Sequence, residues 1–149
     1  MNVRRAALAL GLAAVPLSAC QAQKAVPLTI RTDSAEHRFT VEVARTPEEQ
    51  ARGLMFRESL APDRGMIFPM TPPRYASFWM KNTLIPLDMI FIRADGTISS
   101  IEPMTVPHSL TPVSSLEPVA AVLEIPGGRA AELGIEAEDR VEWKDRKRP

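Results

Sequence analysis

Two carboxylates stand where chemistry is conceivable. Asp88 sits near the start of the apolar run 87–93, and Glu124 near the end of the apolar run 119–125. In an extended strand residues two apart share a face, so Asp88 is expected to point with Ile90 and Ile92, and Glu124 with Val122 and Ala120. A lone charge on an apolar face is too costly to keep, so each needs a partner or a place at the rim. Lys81, Arg52 and Arg57 are candidate cations, and Asn82 is a neutral donor and acceptor. Three readings stand open. The plainest makes these residues paired rim charges that fix strand ends, with Lys81 meeting Asp88 across the intervening turn. The second gathers Arg52, Trp79, Lys81, Asn82, Asp88 and Glu124 into a polar mouth for a small polar ligand. The third uses Asp88 and Glu124 as the acid and base of a hydrolase, in the manner of glycosidase carboxylates.

Methionine suggests a weaker site. Met55, Met66, Met70, Met80, Met89 and Met104, with His37 and His108, offer thioether and imidazole ligands suited to cuprous ion. Methionine more often fills irregular core space, so no metal and no other cofactor is expected. His108, between Pro107 and Ser109, reads as a solvent-exposed loop residue, and Tyr75 and Trp143 as ordinary packing residues. There is no phosphate-binding glycine loop, no paired-histidine metal motif and no serine nucleophile elbow. A binding or accessory module is therefore favoured over an enzyme.

The elements that must position these residues are mainly strands. Alternation marks strands at 28–31 and 39–43, with Asp33-Ser34 turning between them. Thr46-Pro47-Glu48-Glu49 is a capping box that starts a helix of about two turns, and Gly53 is expected to end it in the left-handed conformation. Leu54, Met55 and Phe56 then read as core anchors. A short strand at 65–70 should be broken by Thr71-Pro72-Pro73. Another is expected at 76–81, with Phe78 and Trp79 on opposite faces and a turn at Asn82-Thr83. The run 87–93 is apolar on both faces, as in a central strand. Asp95-Gly96 signals a hairpin returning through 97–101. Proline makes 103–118 a loop. A strand at 119–125, a short helix at 129–133 opened by Gly127-Gly128, and a strand at 140–143 complete the pattern. It favours a compact antiparallel β barrel or two-sheet sandwich with two short helices.

The N-terminus reads as an address. Arg4-Arg5 precede an apolar stretch at 6–17, about 12 residues and too short for a stable span. It ends in Leu17-Ser18-Ala19-Cys20: a branched apolar residue, two small residues and a thiol, the pattern of a lipoprotein signal. Residues 1–19 are thus expected to be a removable leader and 20–27 a linker lipidated on Cys20. A single domain would occupy 28–143, and 144–149 a charged tail. Gln21 rather than Asp after the cysteine favours the outer membrane of a double-membrane cell, with the domain facing the periplasm. Cys20 is the one cysteine, which excludes an intramolecular disulfide and cysteine-based zinc sites. The chain has 18 Lys+Arg against 18 Asp+Glu, and loss of Arg4 and Arg5 leaves 16 against 18. Such a balance argues against a nucleic-acid partner. The expected partners are a membrane, through the lipid, and a small polar ligand or envelope protein.

The stretch Phe78-Trp79-Met80-Lys81-Asn82-Thr83-Leu84-Ile85-Pro86-Leu87-Asp88-Met89-Ile90-Phe91 resembles the signature of the bacterial and archaeal family called domain of unknown function 192. Arg52-Gly53-Leu54-Met55-Phe56-Arg57, Gly65-Met66-Ile67-Phe68, Asp95-Gly96 and Leu123-Glu124-Ile125-Pro126-Gly127-Gly128 agree in order, so the resemblance spans about 28–143. Members usually show Gly-Asp near the end, where this chain has Glu138-Asp139. The resemblance implies a small, mostly antiparallel β fold and brings no established activity.

Overall fold

The computed structural model describes residues 25–144. The expected leader, Cys20, the first part of the linker and all of the charged tail except Lys144 lie outside them. Nine strands and two short helices run in the order β1 (Ala25–Arg31), β2 (Glu36–Val43), α1 (Pro47–Arg52), β3 (Arg64–Arg74), β4 (Ser77–Phe78), β5 (Leu87–Ile92), β6 (Ile98–Glu102), β7 (Val113–Ser114), β8 (Val119–Pro126), α2 (Arg129–Leu133) and β9 (Arg140–Trp143). β1 begins three residues before the expected domain boundary, so residues 25–27 pair in the sheet rather than serving as linker. No helix among the described residues is long and apolar enough to cross a membrane.

Seven strands form one sheet in the order β6-β5-β8-β3-β2-β1-β9, and β4 and β7 form a second, small one. Neighbours are antiparallel except β2 and β3, which run parallel. Parallel neighbours need a crossover, and residues 44–63, which include α1, supply it. The large sheet curls until its edges approach: Thr97 bridges Arg140, and Ile98 N–H donates to Asp139 O at 2.8 Å. The expected mainly β fold is therefore present as a curled half-barrel with a small second sheet and two short helices.

Alternation sorts the apolar side chains into two cores. One collects Leu28, Ile30, Val41, Ile67, Ile90, Ile98, Leu123 and Val141, with all seven strands of the large sheet contributing, and so fills the inside of the curl. The other lies on the opposite face, where Met66, Phe68, Met89, Phe91 and Val122 pack under Leu54, Ala76 and Met80 from the connecting segments. β5 is buried along its whole length because both of its faces are covered, as its unbroken apolar run predicts.

Several local expectations need correction. The prolines do not end β3, which stays extended to Arg74; they shift its register against β8 between Pro69 and Arg74. Proline lacks an N–H for the ladder but tolerates extended backbone, and Pro72 and Pro73 stand exposed. The strand expected at 76–81 shrinks to Ser77–Phe78, which pairs with β7 inside the proline-rich loop. Phe78 meets Phe68 edge to face, with ring centroids 5.0 Å apart. Phe56 is exposed and not a core anchor, whereas Leu54 is buried. The capping box is complete: Glu49 N–H donates to Thr46 Oγ1, and Thr46 N–H to Glu49 Oε2. Gly53 ends the helix at φ 47°, ψ −133°, a positive-φ conformation other than the left-handed helical one.

Candidate functional site

The register of β5 and β8 decides how the two carboxylates relate. Met89 lies opposite Glu124, and Asp88 opposite Ile125. Directly opposed residues share a face, so Asp88 points into the inner core and Glu124 to the other side of the sheet. They do not converge on one site, and an acid and base acting together on one substrate is not the arrangement the strands provide.

Asp88 is fully buried and bound by backbone. Its Oδ1 accepts from Met104 N–H at 2.9 Å and Gly128 N–H at 2.8 Å, and its Oδ2 from Ala130 N–H at 2.8 Å. The carboxylate thus ties the start of the proline-rich loop to the Gly127-Gly128 turn and the first turn of α2. Lys81 is not its partner. The Lys81 ammonium instead lies over the Trp79 ring, 5.2 Å from the centroid. The expectation of a Lys81–Asp88 pair fails because both Asp88 oxygens are claimed by amides three to five residues beyond Ile125, and 16 residues beyond Asp88 itself. Arg57 is also spent elsewhere, in a two-pronged pair with Glu42 at 2.6 and 2.7 Å.

Glu124 is the opposite case. It is 4% exposed and has no hydrogen-bond or ion-pair partner among the described residues. Burial pushes its carboxyl up to about 8, so it is mainly protonated at neutral pH. Its side chain lines a cavity of about 370 Å³ on the outer face of the sheet. Phe68, Phe78, Leu54 and Met70 supply apolar wall, and Gln50 and Thr83 polar wall. Arg52, at the end of α1, and Arg74, at the end of β3, line the same cavity and are exposed. Neither has an ion-pair partner among the described residues. Tyr75 and Trp79, 68% and 51% exposed, complete the rim.

Of the six residues expected to form a mouth, Arg52, Trp79 and Glu124 line the cavity, and Lys81 adjoins it through Trp79. Asn82 works beside it. At φ 54° it turns the chain, and its carbonyl accepts from Phe56 N–H at 2.8 Å, which fastens the segment after α1 to the central motif. Asp88 belongs to the opposite core. Gln50, Arg74 and Tyr75 are cavity residues that sequence reasoning missed, and Tyr75 is not the packing residue expected. Met66, Met80 and Met89 are buried within the outer core among Phe68, Phe91 and Val122, and Met70, buried in the same core, adds apolar wall to the cavity.

The family described as DUF192, "Uncharacterized ACR", matches residues 28–143. The chain belongs to the DUF192 family. Two solved structures support the fold of this DUF192 chain. A protein of unknown function from Novosphingobium aromaticivorans DSM 12444 is 47% identical with a TM-score of 0.81, covering 88% of this chain and 94% of its own. A protein from Sinorhizobium meliloti 1021, described as a "putative transcription regulator", is 43% identical with a TM-score of 0.79, covering 81% of this chain and 95% of its own. No curated protein matches the chain.

Proposed function

We propose that this DUF192 protein is a lipid-tethered, extracytoplasmic binding module whose outer-face cavity receives a small polar ligand. The observation that carries the reading is Glu124: a carboxyl 4% exposed, without a partner among the described residues, lining a cavity of about 370 Å³. Buried polar groups in proteins are almost always satisfied, and one left open on a cavity is poised for a group that arrives from outside. The cavity volume lies within the range of small-molecule sites, which spans roughly 300–1,000 Å³. The tether is supported by Leu17-Ser18-Ala19-Cys20 after a short apolar run, and outer-membrane sorting by Gln21. A hydrolase using Asp88 and Glu124 has no support from strands that turn them to opposite faces. Transcription regulation, the description of the Sinorhizobium protein, finds no support in a near-neutral charge balance.

The test is untargeted small-molecule mass spectrometry on protein purified natively, beside a Glu124→Leu variant. The expected result is a molecule released from the wild type on denaturation and absent from the variant. If the wild type retains nothing, and no member of a mixed metabolite library changes tryptophan fluorescence, the cavity is not a binding site.

A further inference from the structure

The cavity's polar groups separate by burial. Its most buried polar groups are Glu124 and Thr83, and its charged groups are Arg52 and Arg74, both exposed. The apolar side chains of Leu54, Phe68, Met70 and Phe78 line the same cavity. We propose that the cavity selects small organic anions with an apolar, preferably aromatic, body and a hydrogen-bond-accepting tip. The anionic head meets Arg52 and Arg74 at the mouth, and the tip accepts a hydrogen bond from the Glu124 carboxyl at the floor. This inference rests on the binding reading above and names its ligand class.

Each part follows from what the residues offer. A guanidinium without a protein carboxylate presents paired N–H donors in a plane, the geometry that suits a carboxylate or phosphate. Exposed, it stays charged and hydrated until a ligand arrives. The aromatic rim of Tyr75 and Trp79 and the edge-to-face pair Phe68–Phe78 offer ring faces and edges to a flat body. At the floor, the protonated carboxyl is an O–H donor, and a ligand carbonyl or ether oxygen satisfies it. A cationic tip would favour an ionised Glu124 but would have to pass two arginines, so the charge order along the cavity disfavours it. The charged or titratable groups lining the cavity with Glu124 are Arg52, Arg74 and Tyr75; directly opposite Glu124 in the sheet stand Met66 on β3 and Met89 on β5, which do not titrate.

The test titrates the full chain, in mild detergent, with three probes and a cationic fourth, 4-acetylbenzylamine, followed by tryptophan fluorescence and calorimetry. 4-Acetylbenzoate carries head, ring and acceptor tip; 4-isopropylbenzoate lacks the acceptor; 4-acetylbenzamide lacks the charge. At pH 6.5 the first is expected to bind about tenfold more tightly than either of the others, the size of one good polar contact. Its binding should weaken as pH rises through about 8, where Glu124 ionises. Glu124→Gln keeps a donor and should keep the preference for the acetyl tip while losing that pH dependence. Arg52→Ala with Arg74→Ala should remove the preference for benzoate over benzamide. Equal binding of the three probes, or preferential binding of 4-acetylbenzylamine, would overturn the ligand class while leaving a binding site. If all four probes fail while the native protein retains another molecule, the class is likewise wrong and the site stands. If nothing is retained either, both inferences fall together.

Discussion

Asp88 and Glu124 lie one register step apart on adjacent strands and point to opposite faces of the sheet. That single step separates a carboxylate that holds the fold from a carboxyl that opens on a cavity, and it makes their substitutions distinguishable.

Asp88→Ala should destabilise the protein by on the order of 3 kcal/mol, because three buried or half-buried backbone N–H groups lose their acceptor. Asp88→Asn restores one acceptor oxygen but aims an amide N–H₂ at a donor, and should cost roughly 1–2 kcal/mol. Lys81→Met should combine additively with either in urea melts, since Lys81 lies over Trp79. A coupling energy above about 0.5 kcal/mol between positions 81 and 88 would contradict the geometry.

Glu124 should make stability depend on pH. Its carboxyl ionises near 4.5 when the chain is unfolded and at about 8 when folded. Between those values the unfolded state has released a proton that the native state still holds. Stability from this group is therefore complete below pH 4.5 and falls as pH rises through the window, by roughly 3–5 kcal/mol in all. Asp95 and Glu117 are held low, the first by hydrogen bonds from Thr97, the second by those from Ser99 and Arg93, so they act with the opposite sign and below the window. Denaturant melts at pH 5 and pH 8 should show the fall in the wild type, and Glu124→Gln should flatten it. An unchanged slope in the variant would assign the dependence to another group.

Gly65→Ala should damage the site as well as the sheet. A Cβ at position 65 would stand 2.5 Å from the Glu124 carbonyl oxygen, and backbone cannot swing aside as a side chain can. A loss of about 2–3 kcal/mol is expected, with weakened probe binding in whatever folds. Wild-type melting and binding in Gly65→Ala would show that β8 has room to move.

Thr46→Ala removes one half of the capping box and should cost about 1 kcal/mol. Because α1 carries Arg52 to the cavity, the same variant should lower affinity for 4-acetylbenzoate more than for 4-acetylbenzamide. A loss shared equally by both probes would separate the cap from the placement of Arg52.

Cys20→Ser should release the protein from membranes or leave it unprocessed. Acyl chains on the wild-type Cys20 peptide are the expected finding by mass spectrometry, and a mature soluble protein with a free thiol there would remove the tether from the proposal.

Much of the fold was legible because its signals are local. The alternation of β1 and β2, the all-apolar β5, the Thr46–Glu49 capping box and the ends of α2 and β9 each follow from residues a few positions apart. The parallel pairing of β2 with β3 was not legible, since nothing within a strand states its neighbour's direction. Strand periodicity correctly placed Asp88 with Ile90 and Glu124 with Val122, yet it could not relate the two, because that depends on register across a ladder. The cavity mixes positions 50–55, 68, 70, 74–79, 83 and 124, brought together only by tertiary folding. Arg74 and Tyr75 follow two prolines that read as a break, and the extended continuation of β3 to Arg74 is what delivers them to the rim.

β1 lies between β2 and β9, so the earliest strand takes one of its two neighbours from residues 140–143. A chain emerging from its N-terminal end, through a ribosome or a translocation channel, would carry an unpaired β1 flank until almost the last residues of the domain arrive. Such distant pairing makes for slow folding and a long exposure of strand edges, the condition in which a holding chaperone matters most. Deleting 140–143 should therefore cost more than four residues of contacts: it would leave Leu28 and Ile30 beside an open edge and turn a folding problem into an aggregation problem.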